Sequence, residues 1–393
     1  MLVKKLALWT TISIFLPLSL LAQLKLDWNA WADLELSKAQ ANSHYFYNQI
    51  HKNKLDWRLG FSDINLVTTA QLDSNWVIQV RAQLKRNANQ ALDAFLMPAA
   101  FIQYQPKKQS WRLALGRYII PFGSFTERQH PKDRTFINIP LAYSFYQNVA
   151  AQLGYVDDLG ETKTEVDEMV FWGSTMVYYG GYTQGLKFDW DIDEADRWIW
   201  SLSIGNSSPN ILDSPFAREN WGISTRLRYR PAYFWEQGVS LSTGTFVQRT
   251  SLFDQLPAHP KQWLLGTDWR TGIGFWELTG EVIGAWYRAP VFDRDSATFG
   301  ANEVEFSSMA FSTQLRYETP FISGLYLAYR FDFISFSKLE DSQWDSRVEA
   351  HNFGMGYKIN RFLLLRTNYL LQYKADRPNW EQNTFRSTLT LHF

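Results

Sequence analysis

Apolar and polar residues alternate with a period of two in many short segments along the chain. The pattern is clearest in residues 76–85, 221–230, 276–286, 325–333 and 385–393. A period of two places apolar side chains on one face of a β-strand and polar side chains on the other. Because helical periodicity is almost absent, the pattern predicts an all-β fold.

The length and number of these segments favour a transmembrane barrel over a soluble sandwich. They are about ten residues long, which is the usual length of barrel strands that cross a bilayer. A closed barrel satisfies its backbone hydrogen bonds between strands, so each strand needs only one apolar face in lipid. Mean hydropathy is −0.29, and no apolar run after Leu21 approaches the length of a spanning helix. We therefore predict an antiparallel transmembrane β-barrel.

Short and long connections alternate along the predicted barrel, as they do between the two ends of membrane barrels. We expect tight turns at Asp73-Ser74, Thr271-Gly272, Glu318-Thr319-Pro320 and Asn360, and long polar connections at 37–54, 289–302 and 338–346.

The strand count depends on the segment from Ile119 to Gly181. If this segment is one long connection, the strand directions agree with about sixteen strands. The alternative is about eighteen strands, with residues 147–155 and 169–179 added as a spanning pair. Either number predicts a water-filled channel, because a barrel of about eight strands is filled by its own side chains.

The N-terminus reads as a signal peptide. Lys4 and Lys5 precede an apolar run that contains Pro17, and the small residue Ala22 suits cleavage. We expect residues 1–22 to be removed and residues 23–393 to form one barrel domain, since no repeat or linker divides them.

Composition agrees with export and excludes several functions. The chain has no Cys, which removes thiol catalysis and zinc-thiolate sites. Aromatic residues make up 17% of the chain, an excess that girdles at the two membrane interfaces would explain. Without Lys4 and Lys5, 37 basic residues remain against 39 acidic ones, which argues against nucleic-acid binding. The six His lack the spacing of a metal pair, so we expect no metal and no cofactor.

Alternation also predicts which charged side chains face the lumen. The candidate pore-lining residues are Arg81, Lys85, Arg112, Arg226, Arg228, Glu277, Glu281, Arg330 and Asp332. The excess of arginines is compatible with anion preference. The alternative is that these charged side chains form ion pairs with one another across the lumen.

A break in the pattern follows the strand that ends at Gly116-Arg117. Pro121-Phe122-Gly123 interrupts the alternation, and a long segment follows. With the terminal Phe393, this arrangement resembles Gram-negative porins, especially the phosphate-selective group. The resemblance implies a loop that folds into the barrel and narrows it. The candidate residues of this constriction are Arg117, Pro121, Gly123, Arg128, His130, Lys132 and Arg134. That group often has an Arg-Asp pair before the Gly of the next strand, whereas this chain has Thr183-Gln184-Gly185, so phosphate selectivity is not transferred.

The resulting hypothesis is a channel in a bacterial outer membrane for passive diffusion of small hydrophilic solutes, with some preference for anions. Its expected partners are outer-membrane lipid, the barrel-assembly machinery and the solutes themselves, and both a monomer and a homotrimer are compatible with the sequence. The alternatives are a barrel enzyme, in which His130, Asp133 and Ser144 would meet, and an adhesive barrel whose aromatic loop 37–54 binds a partner.

Overall fold

The computed structural model describes most of the chain after its N-terminus. The described residues are 25–39, 57–86, 92–150, 154–156, 173–177, 181–193, 197–206, 208–209, 221–246, 260–293, 298–339, 342–375 and 383–393. The predicted signal peptide, most of the predicted loop 37–54 and the acidic segment 157–168 lie outside these residues.

Sixteen antiparallel strands close into one barrel, as the sequence predicts. They are β1 (Lys25–Ala39), β2 (Arg58–Gln71), β3 (Trp76–Arg86), β4 (Leu92–Tyr104), β5 (Trp111–Ile119), β8 (Tyr182–Asp191), β9 (Trp198–Gly205), β10 (Gly222–Ala232), β11 (Trp235–Thr245), β12 (Lys261–Ile273), β13 (Trp276–Asp293), β14 (Thr298–Glu318), β15 (Leu325–Phe336), β18 (Val348–Lys358), β19 (Leu363–Lys374) and β20 (Thr384–His392). The short strands β6 (Val149–Ala150), β7 (Gly154–Val156), β16 (Lys338–Leu339) and β17 (Ser342–Gln343) lie in connections.

The last strand closes the barrel against the first. β20 pairs with β1 from Trp31 opposite His392 to Ala39 opposite Thr384. The terminal Phe393 continues this pairing, since its N–H donates to the carbonyl of Ala30 at 2.8 Å. The eighteen-strand alternative is wrong, because β6 and β7 pair mainly with each other and β7 adds only to the end of β13.

The two ends of the barrel differ. One end, which we call the short-turn end, carries both described termini and seven turns. These turns join β2 to β3, β4 to β5, β8 to β9, β10 to β11, β12 to β13, β14 to β15, and β18 to β19. Outward-facing aromatic pairs lie just above these turns, such as Trp198 on Tyr229 with ring centroids 4.1 Å apart and Trp276 on Tyr317 at 4.4 Å. Such rings are typical of the boundary between lipid and water.

Two connections differ from the sequence prediction. The turn expected at Thr271-Gly272 lies two residues later, because β12 continues to Ile273 and Gly274 adopts a positive φ of 59°. The connection expected at 289–302 is mostly an extension of β13 and β14, which pair up to Asp293 and Thr298. Residues 289–291 of β13 are all apolar, so this part of the hairpin lacks the alternation of apolar and polar residues that marks a strand in lipid.

Among the described residues, no helix has the length and apolarity needed to cross a membrane. The only α-helix in that part of the chain is α1 (Leu141–Ser144), a single turn inside the long connection after β5.

Candidate functional site: the inner loop and the cavities beside it

The connection from residue 120 to residue 181, which we call the inner loop, turns into the barrel directly after β5. Phe122 is fully buried, and its ring lies against Gly266 of β12. Gly123 has a φ of 64°, and a Cβ there would lie only 1.9 Å from the Glu281 carboxylate. A side chain at residue 123 would therefore strain the backbone and displace Glu281. The Pro-Phe-Gly break thus directs the loop towards the opposite wall.

Glu281 of β13 fastens the start of the loop. Its carboxylate accepts hydrogen bonds from the Tyr143 hydroxyl at 2.8 Å and from the Ser124 N–H at 3.1 Å. The Gly123 N–H donates to Ser240 of β11 at 3.0 Å. Burial and the nearby Glu281 charge raise the pKa of Tyr143 well above its usual value, so this hydroxyl stays protonated and acts as a donor.

Arginines of the barrel wall fasten the next part of the loop. Arg330 donates to the Asn138 carbonyl at 2.9 Å, and Arg386 donates to the Asn138 side chain at 3.1 Å. Arg366 donates to the Arg134 carbonyl at 3.3 Å. All three guanidinium groups are buried, so their hydrogen bonds position the loop backbone.

Each of these arginines also has a buried carboxylate beside it. Arg330 binds Asp332 at 2.7 Å, Arg366 lies 3.7 Å from Asp33, and Arg386 forms an ion pair with Glu35. Buried charges require such compensation, since an unpaired charge inside a protein is strongly destabilising. Arg330 and Asp332, both candidates for pore lining, therefore lie beneath the loop.

Residues 139–149 of the loop pack against an apolar part of the inner wall. Loop residues Ile139, Leu141 and Val149 belong to the same buried cluster as Ile283 and Phe306 of the barrel. This differs from the polar lumen that the sequence predicts. It places the loop firmly against strands β11–β19, at the end of the barrel that carries the long connections.

A polar cavity of about 240 Å³ remains on the other side of the lumen. We call it the side cavity. It lies between the loop and strands β4, β5, β8, β9 and β10. Its lining residues are Gln103, Arg112, Glu127, Lys187, Asp189, Ile199, Ser201, Arg226 and Arg228.

Glu127 is the loop residue that faces this cavity. Its side chain is 49% exposed and forms ion pairs with Arg226 at 3.0 Å and with Arg228 at 3.3 Å. Burial raises the pKa of Glu127, but the charges of Arg226, Arg228 and Lys187 outweigh it and hold the pKa below its usual value. Glu127 is therefore a carboxylate that neutralises part of the basic wall.

Arg226 is held between two carboxylates. Besides Glu127, it binds the buried Asp268 of β12 at 2.8 Å. Glu277, Glu281 and Asp332, the three carboxylates among the pore-lining candidates, are not the ion-pair partners of Arg226 and Arg228. Glu277 binds Arg270 at 2.9 Å, Asp332 binds Arg330, and Glu281 binds the loop.

We predict that Arg226→Gln destabilises the barrel by about 3–5 kcal/mol, because Asp268 would be left as an unpaired buried charge. Urea unfolding in lipid vesicles would measure the change. The double variant Arg226→Gln/Asp268→Asn is the matched control, and it should recover most of the loss. Equal instability of the single and double variants would contradict the role given to Asp268.

The remaining wall candidates are distributed around the barrel. Arg81 donates to Asn65 at 2.8 Å and to the Tyr182 hydroxyl at 2.7 Å. Lys85 lies opposite Asp63 in the pairing of β2 and β3. Arg112 binds Asp191 at 3.2 Å at the edge of the side cavity.

One candidate of the constriction loop is misplaced by the sequence. Arg117 belongs to β5, where it pairs with Ala100 and Gln184, and is not part of the loop. The strand continues to Ile119 because β8 pairs with it up to Tyr182. Pro121 and Gly123 lie at the start of the loop, and Arg128 donates to the Ser124 hydroxyl at 2.9 Å.

His130 does not form a catalytic group with Asp133 and Ser144. The Ser144 hydroxyl donates to the carbonyl of Pro140 at 3.0 Å, and the His130 ring packs against Trp31 with centroids 5.2 Å apart. Burial, together with Arg81, Lys132 and Arg134, lowers the pKa of His130 to about 3. The imidazole is therefore neutral in the folded barrel at ordinary pH.

Because His130 is neutral in the folded barrel, we predict that the free energy of unfolding depends on pH. The unfolded chain binds a proton near pH 6.5 and the folded one only near pH 3, so stability should be full above about pH 6.5 and should fall as the pH drops towards 3. Urea midpoints measured between pH 7.5 and pH 4 would test this. The variant His130→Gln should show a shallower decline, and an identical decline in both proteins would contradict it.

Sequence reasoning missed Glu127, Asp268, Tyr143 and Arg386. The inward orientation of Asp268 could have been predicted. Apolar and polar residues alternate along residues 262–270 of β12, which places Asp268 on the same face as Gln262. Glu127 and Tyr143 carry no such signal, since a loop without a repeating period gives no orientation for its side chains.

Within the described ranges, no group of three or more His, Asp or Glu residues is arranged to hold a metal ion. No protein-family model matches the chain. No curated protein matches it either.

Solved structures do resemble this barrel over nearly its whole length. The outer membrane channel DcaP of Acinetobacter baumannii has a TM-score of 0.63 at 8% identity, with 95% of this chain and 98% of that chain covered. The anion-selective porin from Comamonas acidovorans has a TM-score of 0.61 at 8% identity, with 94% and 100% covered. OmpF of Salmonella typhi, solved with daunomycin, has a TM-score of 0.58 at 11% identity, with 94% and 98% covered. The chain therefore has the fold of bacterial outer-membrane porins.

Proposed function

We propose that this chain is a porin of a bacterial outer membrane, through which small hydrophilic solutes diffuse passively. The observation that carries the proposal is the polar space that the inner loop leaves inside the sixteen-strand barrel. The loop is held by strands β11–β20, and the side cavity remains between it and strands β4–β10. A barrel of this size encloses more space than its own wall side chains fill.

The constriction would lie where Glu127 of the loop faces Arg226 and Arg228 of β10. The small side chain of Ser201 on β9, which lines the side cavity, supports this location. It leaves room for water opposite the loop. Solutes would therefore pass along the wall formed by β5, β8, β9 and β10.

The proposal includes a modest preference for anions. Four cations line the side cavity, namely Arg112, Lys187, Arg226 and Arg228, but only two of their four carboxylate partners, Glu127 and Asp189, line it with them. The other two, Asp191 and Asp268, pair with Arg112 and Arg226 from outside the lining. The cations therefore face a passing ion more directly than the carboxylates do, between low-dielectric walls that concentrate the field. Pairing with Glu127 weakens the preference without abolishing it.

Passive diffusion requires no catalysis and no cofactor. The proposal also includes export by the signal peptide 1–22 and insertion by the barrel-assembly machinery. The C-terminal Phe393 and the outward-facing Leu389 and Leu391 support insertion by this route, because they resemble the terminal-strand signal of outer-membrane proteins.

Single-channel recording of the refolded chain from residue 23 onwards in planar bilayers would test the proposal. We expect discrete, ohmic conductance steps. In a salt gradient, we expect the reversal potential to have the sign that a preference for anions produces. A barrel that is folded, as shown by heat-modifiable migration in gels, but carries no current would contradict it.

A further inference from the structure

A second and larger cavity lies at the short-turn end of the barrel. Its volume is about 510 Å³, and it lies between the inner loop and strands β14, β15, β18, β19 and β20. The loop descends to it through a turn at residues 130–134, in which the Asp133 and Arg134 N–H groups donate to the His130 carbonyl. The turn that joins β18 to β19 forms its outer rim.

Five cations line this cavity, and we call them the basic basin: Lys132, Arg134, Arg316, Lys358 and Arg361. Only two carboxylates, Asp133 and Glu318, line it with them, which leaves an excess of three positive charges. Arg316 binds Glu318 at 2.7 Å. Among the described residues, Lys132, Lys358 and Arg361 have no ion pair within the range of a salt bridge.

Two buried nitrogen atoms in the walls of the cavity lack partners. The Nε atom of Arg316 and the Nε2 atom of His392 are buried and have no hydrogen-bond partner among the described residues. Both side chains line the cavity. Buried polar atoms without partners are rare in folded proteins, so two walls of this cavity carry polar groups that the protein itself does not satisfy.

Aromatic rings hold two of the guanidinium groups in place. Arg316 lies over the Tyr326 ring at 4.1 Å, and Arg361 lies over the Phe362 ring at 4.5 Å. A stacked guanidinium keeps its N–H edge available for oxygen acceptors while losing little conformational freedom on binding. The cations are thus partly ordered before any ligand arrives.

From this arrangement we propose that the basic basin binds small multivalent oxyanions, of the kind that carry several phosphate or carboxylate groups. A single monovalent ion is too small to engage cations contributed by the loop, β14 and the β18–β19 turn together. The cavity has the volume of a small-molecule site, about 300–1,000 Å³. In the orientation that the proposed function implies, the basin opens to the periplasm.

Such a ligand would obstruct the channel from one side only. The basin lies at the short-turn mouth, through which ions reach the side cavity, whereas Glu127 of the proposed constriction faces Arg226 deeper in the barrel. A multivalent anion that enters from the short-turn end would occupy the basin and reduce the current. One that enters from the other end would first have to pass the constriction.

Inorganic triphosphate added to one compartment of a planar bilayer at low salt would test this. We expect it to reduce the single-channel current from one side of each inserted barrel and not from the other. In Lys358→Gln/Arg361→Gln, the concentration for half-block should rise about tenfold, because two charge-assisted contacts are lost. The matched control Lys107→Gln/Lys108→Gln, on the β4–β5 turn at the same end, should keep the parental value.

Calorimetric titration of the folded barrel in detergent with triphosphate and with citrate gives an independent readout. Saturable binding that is weakened by Lys358→Gln/Arg361→Gln supports the site, and the relative affinities identify phosphate or carboxylate as the preferred group. Conducting channels without one-sided block, together with no saturable binding, would overturn the basin. Equal block from both sides that Lys358→Gln/Arg361→Gln leaves unchanged would also overturn it and place the anion in the side cavity. If the folded barrel carries no current, the proposed function is contradicted. The calorimetric titration then decides separately whether the basic basin binds the anion.

Discussion

The variant Glu127→Gln is expected to increase the anion preference of the channel roughly fivefold in permeability ratio. Glu127 neutralises Arg226 and Arg228, and its side chain is half exposed to the side cavity. A unit charge about 4 Å from an ion contributes about 1 kcal/mol even at the dielectric constant of water, which corresponds to this factor. Reversal potentials in a potassium chloride gradient measure it, and the effect should be larger at low salt because screening is weaker there.

The matched control for this variant is Glu305→Gln. Glu305 carries the same charge, but its side chain is 80% exposed on the outer face of β14, near the end with long connections. Its removal should leave the reversal potential unchanged. Equal shifts in both variants would indicate a general surface-charge effect, and no shift in Glu127→Gln would place the ion path away from the side cavity.

The second large effect is expected from the inner loop itself. Replacement of residues 125–138 by a short Gly-Ser linker should raise the conductance several-fold, because this segment crosses the lumen to reach Arg330, Arg366 and Arg386. The start of the loop would remain fastened by Ser124 on Glu281. Single-channel recording would measure the change, and gel migration would establish that the shortened barrel is folded.

A cross-link between loop and wall provides the complementary control. The side chains of Asn138 and Asn352 are hydrogen-bonded at 3.2 Å, and the parental chain has no cysteine. A short bifunctional thiol reagent should therefore link the cysteines of Asn138→Cys/Asn352→Cys and leave the parental conductance. Parental conductance in the shortened barrel, or a large change on cross-linking of the cysteine pair, would contradict the position given to the loop.

Alternation along the strands was enough to predict the barrel and the orientation of many wall residues. The prediction succeeded for β10, where Arg226 is buried inside and Leu227 is exposed outside. The period of two does not depend on the details of tertiary packing, because a shift of the strand register by one residue would move every inward-facing charge into lipid. The count of sixteen strands followed from keeping residues 119–181 as one connection.

The contents of the lumen were harder to predict. In β13, residues 282–287 are apolar or small on both faces, since Ile283, Ala285 and Tyr287 meet the loop rather than water. A continuous apolar run of this kind indicates a strand buried on both sides. The polar lumen expected from the other strands was wrong at this point, because the loop provides a second apolar surface that no strand pattern reveals.

We propose that solutes pass between the inner loop and strands β5, β8, β9 and β10. Because the chain has no cysteine, single cysteines on β9 test it directly. Ser201 lines the side cavity, and its neighbour Leu202 faces the opposite side of the strand. A bulky, negatively charged thiosulfonate reagent should reduce the single-channel current of Ser201→Cys in one step and leave Leu202→Cys unaffected. A current in Ser201→Cys that stays unchanged after complete modification would contradict the claim.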